Sequence, residues 1–120
     1  MPITPEVNYH NIPDELKSLR QWVCWKWGER DGKPTKIPVN FNGGRPADTT
    51  KPETWGKFVH CERVAEDYNG LGFVFTADTP YLGIDLDHCI DEDGQIEPWA
   101  RKLINRFDTY TEFSQSGRGI

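Results

Sequence analysis

The run Gln21-Trp22-Val23-Cys24-Trp25-Lys26-Trp27 constrains the fold more than any other stretch of the chain. Side chains along a strand point alternately to opposite faces. One face therefore carries Trp22 and Cys24, with Lys26 at its end, and the other carries Val23, Trp25 and Trp27. Each indole buries roughly 150–250 Å², so core packing is the default role for this strand and a base-stacking platform the alternative. Glu29 to Lys33 follows as a turn, with Asp31-Gly32 as the hairpin cue. The return strand is Thr35-Lys36-Ile37-Pro38-Val39, and Pro38 confines it to an edge or an irregular pairing.

The rest of the chain supplies two helices and more strands. Residues 1–12 read as a loose lead-in, and Pro13 opens a short helix carrying Leu16 and Leu19. Residues 40–50 form a polar loop with Gly43-Gly44. Thr50 and Glu53 form a capping box with Pro52 in the first turn. Trp55, Phe58, Cys61, Ala65 and Tyr68 mark the buried face of that helix, and Asn69-Gly70 ends it. Leu71 to Thr76 is a strand, and Ala77-Asp78-Thr79-Pro80 turns it into a second strand bearing Asp85 and Asp87, as an antiparallel hairpin. A turn at Asp91–Gly94 leads to a helix beginning at Pro98, with Trp99, Leu103 and Phe107 on its buried face. Thr109 to Phe113 is the last strand. The expected class is α+β: a mostly antiparallel sheet with two main helices packed on it. The 120 residues read as a single domain. Its closing strand and Ser/Gly-rich loop suggest the N-terminal part of a larger domain.

Composition narrows the function. With 14 Lys plus Arg against 19 Asp plus Glu the net charge is −5, so this is not a nucleic-acid-binding domain by bulk charge. Any polyanion must be met locally or through a cation. Cys24, Cys61 and Cys89 are odd in number and contain no Cys-x-x-Cys, which argues against a disulfide framework and for a reducing, cytoplasmic setting. No signal peptide is apparent, and no apolar run approaches the roughly 20 residues of a membrane span.

The strongest chemical signal is Tyr81-Leu82-Gly83-Ile84-Asp85-Leu86-Asp87-His88. On a strand, Ile84 and Leu86 enter the core and both carboxylates emerge together on the other face. Like charges held about 6–7 Å apart along a strand repel. A hard divalent cation relieves that repulsion, and Mg²⁺ often takes only one or two protein carboxylates plus substrate phosphates. The alternative is a pair of acids serving a nearby turn.

Ser114-x-Ser116-Gly117-x-Gly119 is a second lead. Glycines admit an anion to backbone N–H groups and hydroxyls add donors, but no P-loop lysine is present. The alternative is a flexible tail. Arg118 is a phosphate contact or a solvated side chain. Lys33, Lys36 and Arg45 form a sparse basic set around the first hairpin that could guide a triphosphate or a template backbone; the alternative is a solvated hairpin face, and Lys36 is the best placed because Ile37 beside it points inward.

Three segments in order carry a family resemblance: Gly72-Phe73-Val74-Phe75-Thr76, Gly83-Ile84-Asp85-Leu86-Asp87-His88-Cys89, and Tyr110 to Ile120. Together with Gln21-Trp22-Val23 and Pro34 to Pro38, they resemble the N-terminal primase-polymerase (prim-pol) domain of phage and plasmid replication proteins, within the archaeo-eukaryotic primase superfamily. The resemblance implies a partial RRM-like catalytic fold. It also implies metal-dependent nucleotidyl transfer in DNA replication priming and synthesis. Asp85 and Asp87 match the acids that bind the catalytic Mg²⁺ or Mn²⁺. Ser114, Ser116 and Gly117 match the approach to the motif that holds the nucleoside triphosphate, and Lys36 and Arg118 join them as nucleotide-binding candidates on the residue reading above. The implied partners are a DNA template, nucleoside triphosphates and a fused or associated helicase, with no membrane. The His that follows the Ser/Gly loop in the family would come just after Ile120, and the third acid further on, so the stretch is expected to be weakly active or inactive alone. A non-catalytic replication initiator or DNA- or partner-binding module is the alternative.

Overall fold

The computed structural model describes residues 7–120; of the loose lead-in, residues 1–6 lie outside the described residues. The chain divides into two compact units, residues 12–82 and residues 83–120 with residues 7–11.

The first unit is built on the Trp-rich run. Strand β1 (Trp22–Arg30) and strand β2 (Lys33–Val39) form an antiparallel hairpin with Arg30 opposite Lys33 and Cys24 opposite Val39. Asp31 and Gly32 adopt φ of 52° and 75°, the left-handed pair that a two-residue hairpin turn requires. Strand β3 (Gly70–Phe73) pairs with the other edge of β1, giving the order β2-β1-β3. As Pro38 requires, β2 is an edge strand. It is blunted by the bridge from Val39 to Pro46 and by the Ala47 N–H on the Pro38 carbonyl at 3.2 Å. Trp22, Val23, Cys24 and Trp25 are all buried, so both faces of the start of β1 are covered. Trp22 meets Phe58 and Phe73 edge-to-face at 4.9 and 5.2 Å and donates its indole N–H to the Leu16 carbonyl. Val23, on the opposite face, clusters with Trp55 and Val74.

The continuous helix expected from Thr50 to Tyr68 is broken in three. A 3₁₀ turn at Pro52–Thr54, helix α2 (Phe58–Arg63) and a 3₁₀ turn at Ala65–Asp67 replace it. Short helix α1 (Asp14–Lys17) precedes β1, directly after Pro13. The break has a physical cause. Gly56 and Trp22 exchange both backbone hydrogen bonds, at 2.7 and 3.0 Å, and that bridge holds Trp55 in an extended conformation (ψ 172°). The capping box is also pre-empted, because the Asp48 carboxylate takes both the Thr50 N–H and hydroxyl. Gly70, expected to stop the helix, opens β3 opposite Trp25 instead.

Cys24, Cys61 and Cys89 are unpaired and fully buried. Cys24 Sγ points at the Cys61 carbonyl at 4.0 Å. The adjoining Cys24 side chain, and burial after it, push the Cys61 thiol up from its usual range. We expect a water-soluble aromatic disulfide to label no thiol of the native protein and all three after unfolding; rapid native labelling would contradict this packing.

In the second unit, helix α3 (Pro98–Phe107) starts at Pro98 as expected. Its buried face differs by one residue, about 100° of rotation. Ala100 is fully buried and Leu103 and Ile104 partly so, whereas Trp99 and Phe107 are 48% and 55% exposed. The Glu97 N–H bonds the Cys89 carbonyl at 2.7 Å and ties the start of the helix to the loop before it. Asp91 closes a small turn there by accepting the Asp93 and Gln95 N–H groups on Oδ1, with Ile90 bridged to Ile96. The expected hairpin between residues 71–76 and the aspartate strand is not formed. Leu86 spends its N–H and C=O on Ile120, and Ile84 is 47% exposed rather than in the core. Residues 109–113 form no ladder among the described residues. The class is nonetheless α+β, with a three-stranded antiparallel sheet and short helices. No helix among the described residues is long and apolar enough to cross a membrane.

Candidate functional site

Asp85 and Asp87 are exposed on either side of a partly buried Leu86. Beyond Asp87 the chain turns: His88 has φ 53°, and Cys89 drops into the interior. The turn is pinned from inside, because Cys89 Sγ donates to the Leu86 carbonyl at 3.3 Å. Among the described residues no group of three or more His, Cys, Asp or Glu side chains converges. Among the described residues the two carboxylates are therefore not part of a closed structural metal site, which takes four ligands.

The Ser/Gly loop is brought directly against this segment. Leu86 and Ile120 exchange both backbone hydrogen bonds (2.8 and 3.0 Å), the signature of an antiparallel hydrogen-bonded pair. The Cys89 and Ile90 N–H groups then both reach the Arg118 carbonyl, at 3.0 and 3.2 Å. Two candidate groups far apart in sequence thus share one backbone junction. Inside the loop, Ser114 Oγ accepts the Gly119 N–H at 3.0 Å and Ser116 Oγ accepts the Arg118 N–H at 3.2 Å. The Gly117 N–H goes to the Ser114 carbonyl. The two hydroxyls lie 3.2 Å apart. They occupy the donors a phosphate oxygen would otherwise take, so an anion entering the loop must displace a hydroxyl from a backbone N–H. Arg118 is exposed. Nearby, Tyr110 donates to Glu112 at 2.6 Å, and burial, then that carboxylate, push its phenol up.

Lys36 lies in the other unit, on β2, with its ammonium 5.6 Å from the Trp25 ring centre. The same unit has an open cleft of about 500 Å³ lined by Arg30, Ile37, Pro46, Asp48, Lys51 and Thr54. Between Lys17 and Arg63 ten basic residues stand against five acidic ones, so the net negative charge of the chain is concentrated elsewhere. Sequence reasoning included Gly119 in the Ser/Gly lead and Cys89 in the aspartate segment without seeing that they meet at the Leu86 carbonyl, and nothing local marked the Arg30–Lys51 cleft.

No protein-family model matches the chain. It is similar to the DNA primase-polymerase of Nitratiruptor phage NrS-1, 44% identical over 108 residues, or 88% of this chain and 14% of that relative. The chain thus spans about a seventh of the relative it matches. At this identity over most of its length, the chain is a prim-pol-like segment, similar to a part of that DNA primase-polymerase.

Proposed function

We propose that this chain carries the cation- and nucleotide-holding part of a DNA primase-polymerase and serves metal-dependent nucleotidyl transfer in the priming and synthesis of DNA. The observation that supports the reading most is the Leu86–Ile120 pair, which sets the two acids and the Ser/Gly loop side by side. Asp85 and Asp87 would hold Mg²⁺ or Mn²⁺. When bound, such a cation neutralises the triphosphate and lowers the pKa of an attacking hydroxyl. The remaining work belongs to the chain. Ser114 and Ser116 release the Gly119 and Arg118 N–H groups toward phosphate oxygens. Gly117, with φ 74°, lets the backbone curl around them. Exposed Arg118 adds charge at the rim; Lys36, in the other unit, is proposed as a nucleotide-binding residue on its residue type and its place on β2 alone. Positioning and electrostatics of this kind supply most of the catalysis in phosphoryl-type transfers. DNA template and nucleoside triphosphates are the proposed partners. A fused or associated helicase rests on the family resemblance alone, and a cytoplasmic setting is supported by the unpaired thiols.

The test is binding of a nucleoside triphosphate by the chain with Mn²⁺, then with excess EDTA. Saturable binding lost on chelation is the expected result; no binding in Mn²⁺ overturns the proposal. One observation favours a second reading, a non-catalytic initiator or DNA-binding module: Arg30 and Lys51 line a cleft within the basic stretch of the chain. That reading predicts DNA binding that survives EDTA and weakens steeply with salt.

A further inference from the structure

Gly119 is buried although the loop around it is largely open. A Cβ built on it would stand 2.7 Å from the Leu86 carbonyl oxygen and 3.0 Å from Ser114 Oγ. The first of these is backbone, so the contact cannot be relieved by swinging a side chain. Gly117 differs: it needs glycine for its positive φ, and a Cβ there would meet nothing within 4 Å. Space alone therefore demands glycine at position 119. The carbonyl that Gly119 touches is the one carrying the junction. It accepts the Ile120 N–H at 3.0 Å and the Cys89 thiol at 3.3 Å, and it belongs to the residue between Asp85 and Asp87. The Cys89 N–H in turn holds the Arg118 carbonyl at 3.0 Å.

We infer that Gly119 is a positioning residue that sets the separation between the aspartate segment and the Ser/Gly loop, with Cys89 holding that separation from the interior side. The inference rests on the proposed function, in which the two segments hold one cation–triphosphate unit between them. A methyl group at 119 pushes the loop off the Leu86 carbonyl while leaving both carboxylates and all loop donors chemically intact. It therefore weakens nucleotide binding without weakening the cation alone. A displacement of about 1 Å at such a junction is worth on the order of 100-fold.

The experiment measures two affinities on the 120-residue chain: Mn²⁺ alone, by electron paramagnetic resonance, and a non-hydrolysable nucleoside triphosphate in saturating Mn²⁺, by calorimetry. The Gly119→Ala variant is expected to keep the Mn²⁺ affinity of the unsubstituted chain and to lose on the order of 100-fold for the nucleotide. Cys89→Ala removes the thiol donor without adding bulk and is expected to weaken nucleotide binding in the same selective way. Cys89→Ser, which keeps a donor, is expected to restore it. That pair decides the matter if Gly119→Ala does not fold. Equal nucleotide affinity in Gly119→Ala and the unsubstituted chain overturns the inference and leaves the proposed function standing. Parallel loss of both affinities also overturns it, because a merely structural defect would do that. Failure of the unsubstituted chain to bind nucleotide in Mn²⁺ overturns both.

Discussion

Replacing both Asp85 and Asp87 by asparagine is expected to lower Mn²⁺ affinity by at least about 100-fold, because even outer-shell changes at metal sites cost 10–100-fold. The substitution keeps side-chain shape and removes only charge. Both carboxylates are exposed, and exposed changes of this kind shift stability by no more than about 0.5 kcal/mol. The loss of affinity should therefore come with an unchanged melting temperature. Isothermal titration with Mn²⁺, with melting curves for both proteins, makes the measurement. Equal affinity in the two proteins would mean that the acids merely flank the Asp87-His88 turn, and the proposed chemistry would fall with them.

Trp22→Ala is expected to cost about 3–5 kcal/mol, the range for removing a buried large aromatic, and so to consume much of the 5–15 kcal/mol that a domain of this size has available. Trp22 is 4% exposed. Its ring stands edge-to-face against both Phe58 and Phe73, each such contact adding to simple burial. Its indole N–H holds the Leu16 carbonyl, which alanine would leave without that donor. The loss also loosens the place where β1, β3 and α2 meet. Urea unfolding followed by tryptophan fluorescence reads the effect, with Trp99→Ala as the contrast. Trp99 is 48% exposed, and its replacement should move the midpoint little. Comparable shifts in the two variants would show that the core has been misplaced.

Local chemistry carries some features of this protein whatever surrounds them. Alternation places Trp22, Val23, Cys24 and Trp25 on a strand, and their bulk makes that strand a buried one. Asp31-Gly32 sets a two-residue turn because few other pairs accept two left-handed residues. Pro38 restricts β2 to an edge, and Pro98 starts a helix. Both acids and the Ser/Gly loop are also legible as candidates from residue type and spacing alone.

Partner choice is where sequence reasoning went astray, since each backbone N–H and C=O bonds one neighbour at the expense of another. Residues 50–68 have a helical pattern, yet Gly56 pairs with Trp22, 34 positions earlier, and that bridge cuts the helix. The aspartate segment has the pattern of a hairpin partner for residues 71–76, yet Leu86 pairs with Ile120. Trp99 and Phe107 have the spacing of a buried face, yet Ala100 is the residue that the tethered helix turns inward. Amino-acid order thus determined which segments extend, turn and carry charge. Only the tertiary structure decided which segments meet, because the hydrogen bonds that join Leu86 to Ile120 are made by main-chain groups that every residue possesses, and nothing in a side-chain pattern says which of them will be taken.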